Sequence, residues 1–481
     1  MNLRMITKSL GMLLMLEAAC MLPSLGVAIL FGQGDAAAFA VSIAIPALIG
    51  ALGLLVKQKP GDLYARDGFA LVGMGWILVS FVGALPYVLS GAIPSIPDAL
   101  FESMSGFSTT GASILSEVES LPKGIMFWRN FTNWLGGLGV LVLLIAVLPA
   151  KASSIHIMQA ESPGPYVDKF VPKIGRVAKM LYIIYSVMTL IQALLLMAGG
   201  MPAFDAALHA FGTASTGGFS NRNLSVAAYN SPYIENVITV FMILFGVNLS
   251  LYNLLLKGKF KAVWQDEELR FYLLSLSAAI ILIAANLAVS SGMNVLESLR
   301  YSAFQVGSVT TTTGFSTADI NAWPVFSKCI LMLMMFMGGC AGSTAGGIKC
   351  MRILLMLKGV GIEIWKIIHP KAVNVLKLNG KPVEEDIHIG ILTYFFLYIF
   401  IFAASTLAVS LDGQDLVTSA TASLATLSNI GPGLGLVGPA GNYALFSDFS
   451  TVVLTINMLL GRLEIYPVIL CIPAFWRRNR I

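Results

Sequence analysis

Ser108-Thr109-Thr110-Gly111-Ala112-Ser113 and three clusters like it decide the reading of this chain. The second is Ala214-Ser215-Thr216-Gly217-Gly218-Phe219, the third Thr311-Thr312-Thr313-Gly314-Phe315-Ser316, and the fourth Ser428-Asn429-Ile430-Gly431-Pro432-Gly433. Aligned on Gly111, Gly217, Gly314 and Gly431, they lie 106, 97 and 117 residues apart, a period near one hundred. Each sits between two apolar stretches and follows a short segment of helical character, such as 98–107 or 205–211, that is too short to cross a bilayer.

The surrounding chain is membrane-like. Of 481 residues, 57% are hydrophobic and 11% charged, and the mean hydropathy is +0.81, well outside the range of soluble domains. Apolar runs near 10–31, 38–56, 70–89, 125–148, 180–198, 237–256, 271–289, 325–357, 389–409 and 452–472 predict ten crossings. The short segments enter and return on one side, so the four units share one orientation, and no inverted repeat points to a secondary transporter of small solutes. The expected fold is an all-α membrane protein: two N-terminal transmembrane helices (1–66), then four parallel helix–pore loop–helix repeats around a pseudo-fourfold pore. The repeats are taken as 67–165, 166–265, 266–386 and 387–481.

About 24 of the 30 Lys and Arg fall in segments that share one side, from Arg4 and Lys8 through Lys57, Lys59, Arg66, 151–179, 257–270 and 349–381 to 477–480. This placement explains the net charge of +5, puts both termini in the cytoplasm, and excludes nucleic acid as the reason for the basicity. The first apolar run is too long for a signal peptide and reads as a retained helix. Cys20, Cys329, Cys340, Cys350 and Cys471 show neither metal-ligand nor disulfide spacing. His156, His209, His369 and His388 are isolated, and no catalytic grouping or dinucleotide motif stands, so no enzyme is expected.

A half-helix that stops mid-membrane aims its partly negative C-terminus at whatever lies on the axis, which favours a cation. Backbone that leaves the helix at that depth must be buried or line a water-filled path. Four such loops can replace an ion's hydration shell with carbonyl oxygens; Gly permits the turn and Thr adds an oxygen. Small residues also mark close helix packing, but packing does not require four clusters in register. Acidic residues near the expected outer mouth (Glu102, Glu117, Glu119, Asp205, Glu235, Asp319, Asp415, Asp448) either concentrate cations or are ordinary solvated loop charges.

Two further features stand out. The run 325–357 is too long for one straight helix and carries the Gly-rich stretch 338–347, which predicts a break beneath the loops or a tightly packed helix contact. Arg462 lies deep in the last run, where a charge faces a bundle interior or aqueous cavity; it reads as a barrier below the loops or as a partner of loop carbonyls. Glu464, two residues on, does not share its helix face. In the basic segment 359–386, Val373 to Gly380 alternates before an Asn-Gly turn and predicts a small hairpin, a contact for a regulatory subunit or a loop without special function. Glu17, inside the first run, reads as a helix-interface residue.

With the four loops, Gly338-Gly339-Cys340-Ala341-Gly342-Ser343-Thr344-Ala345-Gly346-Gly347-Ile348-Lys349 and Gly461-Arg462-Leu463-Glu464, the sequence resembles the TrkH/TrkG/KtrB superfamily of bacterial potassium-uptake subunits over essentially its whole length, and most the TrkH branch. The resemblance implies a K+ filter at Thr109, Thr110, Gly111, Ser215, Thr216, Gly217, Thr312, Thr313, Gly314, Asn429, Ile430 and Gly431. It implies a gate at Gly338, Gly339, Gly342, Ser343, Thr344, Gly346 and Gly347 with Arg462. It further implies a homodimer in the bacterial inner membrane, a cytoplasmic nucleotide-binding TrkA-type subunit as partner, and no organic cofactor on this chain. The fourth loop departs, with Asn429-Ile430 in place of hydroxyl residues. A channel-like uptake subunit is the leading expectation, and a sodium- or proton-coupled K+ symporter of the same fold is the alternative.

Overall fold

The computed structural model describes residues 3–56, 65–140, 142, 174–370 and 374–469. Lys57, Lys59, Lys151, Arg477 to Arg480, His156, Val373, Cys471 and the far ends of the runs expected to reach Leu148 and Ile472 lie outside the described residues.

Among the described residues, six helices are long and apolar enough to cross a bilayer: Arg4–Phe31, Ala36–Leu54 within a turn of it, Asp67–Leu89, Gly175–Ala198, Glu267–Ser291 and Glu385–Asp412. The first two are the N-terminal pair; each of the others opens one of the four units. Every unit then continues into a short helix: Ile96–Phe107, Ala203–Ala214, Val295–Thr310 and Leu416–Leu427. At 12 to 16 residues these half-helices reach about 18–24 Å, less than the ~30 Å hydrocarbon core.

The second run of each unit was expected to be a continuous helix in all but the third. Instead all four are interrupted. Their helices are Lys123–Gly137, Pro232–Phe245, Val325–Met337 and Asp448–Arg462, of 13 to 15 residues each. The second bends by 93° before Leu249–Leu256, the third gives way to an irregular segment before Cys350–Ile368, and the fourth ends where Glu464 and Ile465 take φ of 52° and 69°. A continuous apolar run records only solvent preference, so a break inside it leaves no trace in hydropathy. The expected hairpin is present, with Lys377–Leu378 paired to Lys381–Pro382 around Asn379-Gly380, both at positive φ.

Polarity runs from inside out. Ser105, Ser108, Thr213, Thr216, Thr310, Thr312, Ser423 and Thr426 are buried at the centre, whereas Leu30, Val289 and Phe396 on the periphery are largely exposed. A water-soluble fold inverts this pattern; here the outer solvent is lipid.

The N-terminal pair packs through small residues. A methyl group on Gly50 would stand 2.7 Å from the Gly11 carbonyl oxygen, and one on Gly11 would stand 2.9 Å from the Gly50 carbonyl oxygen. Gly50→Val is expected to cost about 1–3 kcal/mol through overpacking and to lower the thermal midpoint in detergent. Gly26→Ala, which meets nothing within 4 Å, is the control expected to leave that midpoint unchanged.

Candidate functional site

The end of every half-helix is built the same way. In the first unit the N–H of Thr109 donates to Gly106 O (3.0 Å) and that of Thr110 to Ser105 O (2.9 Å). The same pair recurs as Thr216 to Thr213 and Gly217 to Gly212, as Thr312 to Val309 and Thr313 to Ser308, and as Asn429 to Thr426 and Ile430 to Ala425. This is a two-bond helix cap whose first outside residue must be left-handed, and Thr109, Thr216, Thr312 and Asn429 have φ of 56°, 55°, 57° and 55°. Three are β-branched, for which this conformation is strained by about 1–3 kcal/mol. Asn429 suits it better than Thr does, so the residue that departs in composition conforms in backbone.

This cap corrects the register of the second loop. The next positive-φ glycines are Gly111, Gly218, Gly314 and Gly431, so Gly218, not Gly217, matches the other three. Gly217 occupies the place of Thr110, Thr313 and Ile430, and Ser215 that of Ser108, Thr311 and Ser428. Two adjacent glycines cannot be ordered by composition; the cap orders them.

The four loops close into a ring. A methyl on Gly111 would come to 2.0 Å from Gly217 O, one on Gly218 to 1.8 Å from Thr313 O, one on Gly314 to 2.2 Å from Ile430 O, and one on Gly431 to 2.6 Å from Thr110 O. Each loop therefore abuts the next, and the fourth returns to the first. All four of these glycines line a single cavity of about 150 Å³ together with Ser113, Ser220, Ser316 and Pro432.

Each half-helix also braces the chain that leaves its loop. Glu102 accepts from Ser113 Oγ (3.1 Å), His209 Nε2 meets Ser220 Oγ (3.1 Å) and Gln305 Nε2 donates to Ser316 Oγ (3.4 Å). These partners sit nine residues before and two after the matched glycine. The fourth unit has Ala422 and Gly433 there, and Thr421 instead bonds Leu434. Glu102 additionally pairs with Arg129 at 2.5 Å, both fully buried, while Arg129 reaches Ser220 O (3.0 Å) and lies 3.6 Å over the Phe219 ring. Glu102 is thus a strut between the first two loops, not a free charge at the mouth. Asp205 is likewise held by Asn221, Arg222 and Tyr229, and Glu235 by Arg300. Glu117, Glu119, Asp319, Asp415 and Asp448 are exposed.

Beneath the ring lies the Gly-rich segment. Thr344 Oγ1 donates to Ala214 O (3.0 Å), Gly346 N donates to Thr312 Oγ1 (2.7 Å), and a methyl on Gly346 would meet Ser428 O at 2.3 Å. It therefore touches the second, third and fourth loops at once. Arg462 connects it to the first: Nη1 donates to Thr109 Oγ1 (3.1 Å) and Thr344 O (3.0 Å), and Nη2 to Gly136 O and to Gly137 O (2.7 Å). Arg462 thus bonds a hydroxyl of the first loop, a carbonyl of the Gly-rich segment and two carbonyls at the end of Lys123–Gly137; pairing with carbonyls does not exclude a position below the loops. Glu464 pairs with Arg352 instead. Of the segment's other residues, Gly338 and Gly347 pack against each other, Gly339 against Ala345, and Gly342 against Asn248, while Ser343 Oγ donates to Cys340 O. Asn429 Nδ2 bonds Thr110 Oγ1 and Met458 O, both at 2.9 Å, and so ties the fourth loop to the first.

Residues 35–475 match the family model described as TrkH, cation transport protein. This chain belongs to the TrkH family. It is 39% identical to the Trk system potassium uptake protein TrkH of Salmonella typhimurium, over 99% of this chain and 100% of that one, and 35% identical to Trk system potassium uptake protein TrkG of Escherichia coli over 99% of each. The crystal structure of the potassium transporter TrkH from Vibrio parahaemolyticus superimposes with a TM-score of 0.89 at 32% identity, covering 99% and 100% of the two chains. The TrkH-family chain is a multi-pass membrane transport protein and not an enzyme.

Sequence reasoning missed Arg129, His209, Gln305 and Asn133. Asn133 lies within 2.8 Å of where a Gly217 side chain would be, filling the space that Thr110, Thr313 and Ile430 fill in the other loops. The fixed spacing of nine before and two after each glycine was a usable signal for the struts once the second loop's register was right. Arg129→Ala strands a buried carboxylate and is expected to cost about 3–5 kcal/mol; thermal unfolding in detergent reads it, and Arg129→Met with Glu102→Met should recover most of the loss.

Proposed function

We propose that this chain is a channel-like potassium-uptake subunit in which K+ crosses one pore on the axis of the four loops. The closed ring of loop contacts carries this reading, because it gathers four half-helix C-termini and their following carbonyls around one line. Four partly negative helix ends attract a monovalent cation there, and loop carbonyls with the Thr hydroxyls stand in for its water shell. The relatives' names supply potassium as the ion.

In this reading the filter is Thr109–Gly111, Thr216–Gly218, Thr312–Gly314 and Asn429–Gly431, with one chain quarter (67–165, 166–265, 266–386, 387–481) behind each. The segment Gly338 to Gly347 is the gate, and the Arg462 charge is a barrier that a passing cation meets below the ring. The relatives belong to a Trk system, which supports a cytoplasmic nucleotide-binding TrkA-type partner; a homodimer in the inner membrane with cytoplasmic termini completes the proposal.

Purified protein in liposomes tests it. Dissipative K+ flux that follows the Nernst potential is expected; flux that requires Na+ or H+ as a co-ion would make the protein a symporter. Gly314→Ser, which forces a side chain toward Ile430 O, is expected to lower K+ over Na+ discrimination roughly tenfold. Shortening 338–347, or Arg462→Ala, is expected to raise flux severalfold, and unchanged flux in folded protein counts against the gate.

A further inference from the structure

The Gly-rich segment is anchored differently at its tip and at its ends. Its tip, Thr344 to Gly346, bonds the loops above. Its ends meet at a side chain from the helix that opens the same unit. Glu268, in the first turn of Glu267–Ser291, is buried, and its Oε1 accepts from the Ala341 N–H (2.6 Å) and from the Met351 N–H (3.1 Å). Ala341 is the fourth residue of the segment, and Met351 is in the first turn of the helix Cys350–Ile368 that leaves it. One oxygen therefore holds entry and exit together. Main-chain bonds from Cys340 N to Gly246 O, Cys350 N to Gly339 O and Leu249 N to Gly342 O complete the base.

We propose that Glu268 is the positioning residue of the gate: a clasp whose single carboxyl oxygen closes the base of the segment and so keeps its tip raised under the ring. The inference rests on the gate reading above. Its physical basis is the cost of an unmade bond. With the oxygen removed, two buried N–H groups lose their acceptor for as long as the segment stays folded in place. Swinging the segment into the aqueous path below the ring satisfies them with water, so loss of the clasp biases the equilibrium toward the open arrangement. The Met351 N–H also belongs to an uncapped helix start, where an acceptor oxygen is favoured in any case.

Ion flux in proteoliposomes and thiol labelling test the clasp together. Cys340 and Cys350 are buried, and each immediately precedes one of the two clasped N–H groups. In protein with Cys20, Cys329 and Cys471 replaced by Ser, Glu268→Ala is expected to raise basal K+ flux and the rate of maleimide labelling at Cys340 and Cys350, each about tenfold. Glu268→Gln, which keeps an acceptor oxygen, should stay within about twofold of the parent in both. Should the Ala variant not fold, Glu268→Asp, which withdraws the oxygen by one methylene, is expected to move both readouts the same way by a smaller factor. Parent-like flux in these variants overturns the clasp, as does a Gln variant that behaves like Ala. If shortening 338–347 raises flux while Glu268→Ala does not, the clasp fails and the gate survives; if neither raises flux, the gate reading itself fails.

Discussion

Backbone in the middle of a bilayer must satisfy its own hydrogen bonds, because lipid offers none. The cap that ends each half-helix meets that demand four times over. It commits two N–H groups to the last helical turn, forces one residue left-handed, and turns the chain sharply enough for a glycine to follow against the neighbouring loop. The ring, the cavity above it and the segment beneath it all take their positions from this turn. The strain at Thr109, Thr216 and Thr312 is tolerated because the struts from Glu102, His209 and Gln305 hold the departing chain from behind.

Much of this was legible from residues alone. Hydropathy located the crossings, and four small clusters at a near-constant period pointed to loops that share an axis, since no packing arrangement demands them in register. What escaped had a common cause: patterns report which solvent a residue faces, and not where the backbone folds. The breaks at 138–139 and 246–248 lie inside apolar runs that read as continuous, and the one at 463–465 directly follows Arg462 in the last run. Gly217 and Gly218 are interchangeable as letters and differ only in dihedral angle. Glu102 reads as a surface acid until its Arg129 partner, 27 residues on, is seen beside it.

The quarters are alike in backbone and unlike in detail. The second loop lacks a side chain at Gly217 and has Asn133 in its place; the fourth has Asn429 reaching to the first. Among the described residues, only the third unit's broken helix extends into a long irregular segment, and that segment reaches beneath the loops of three units while Arg462, from the fourth, joins it to the first. An element contributed by one quarter thus touches three loops directly and the remaining one through Arg462.

Because the circle is drawn from a single polypeptide, one codon alters one wall of it. A homotetrameric pore changes all four walls with every mutation and can be retuned only in steps of four. Here the walls can drift separately, and a graded series running from one altered quarter to four is accessible by ordinary mutagenesis.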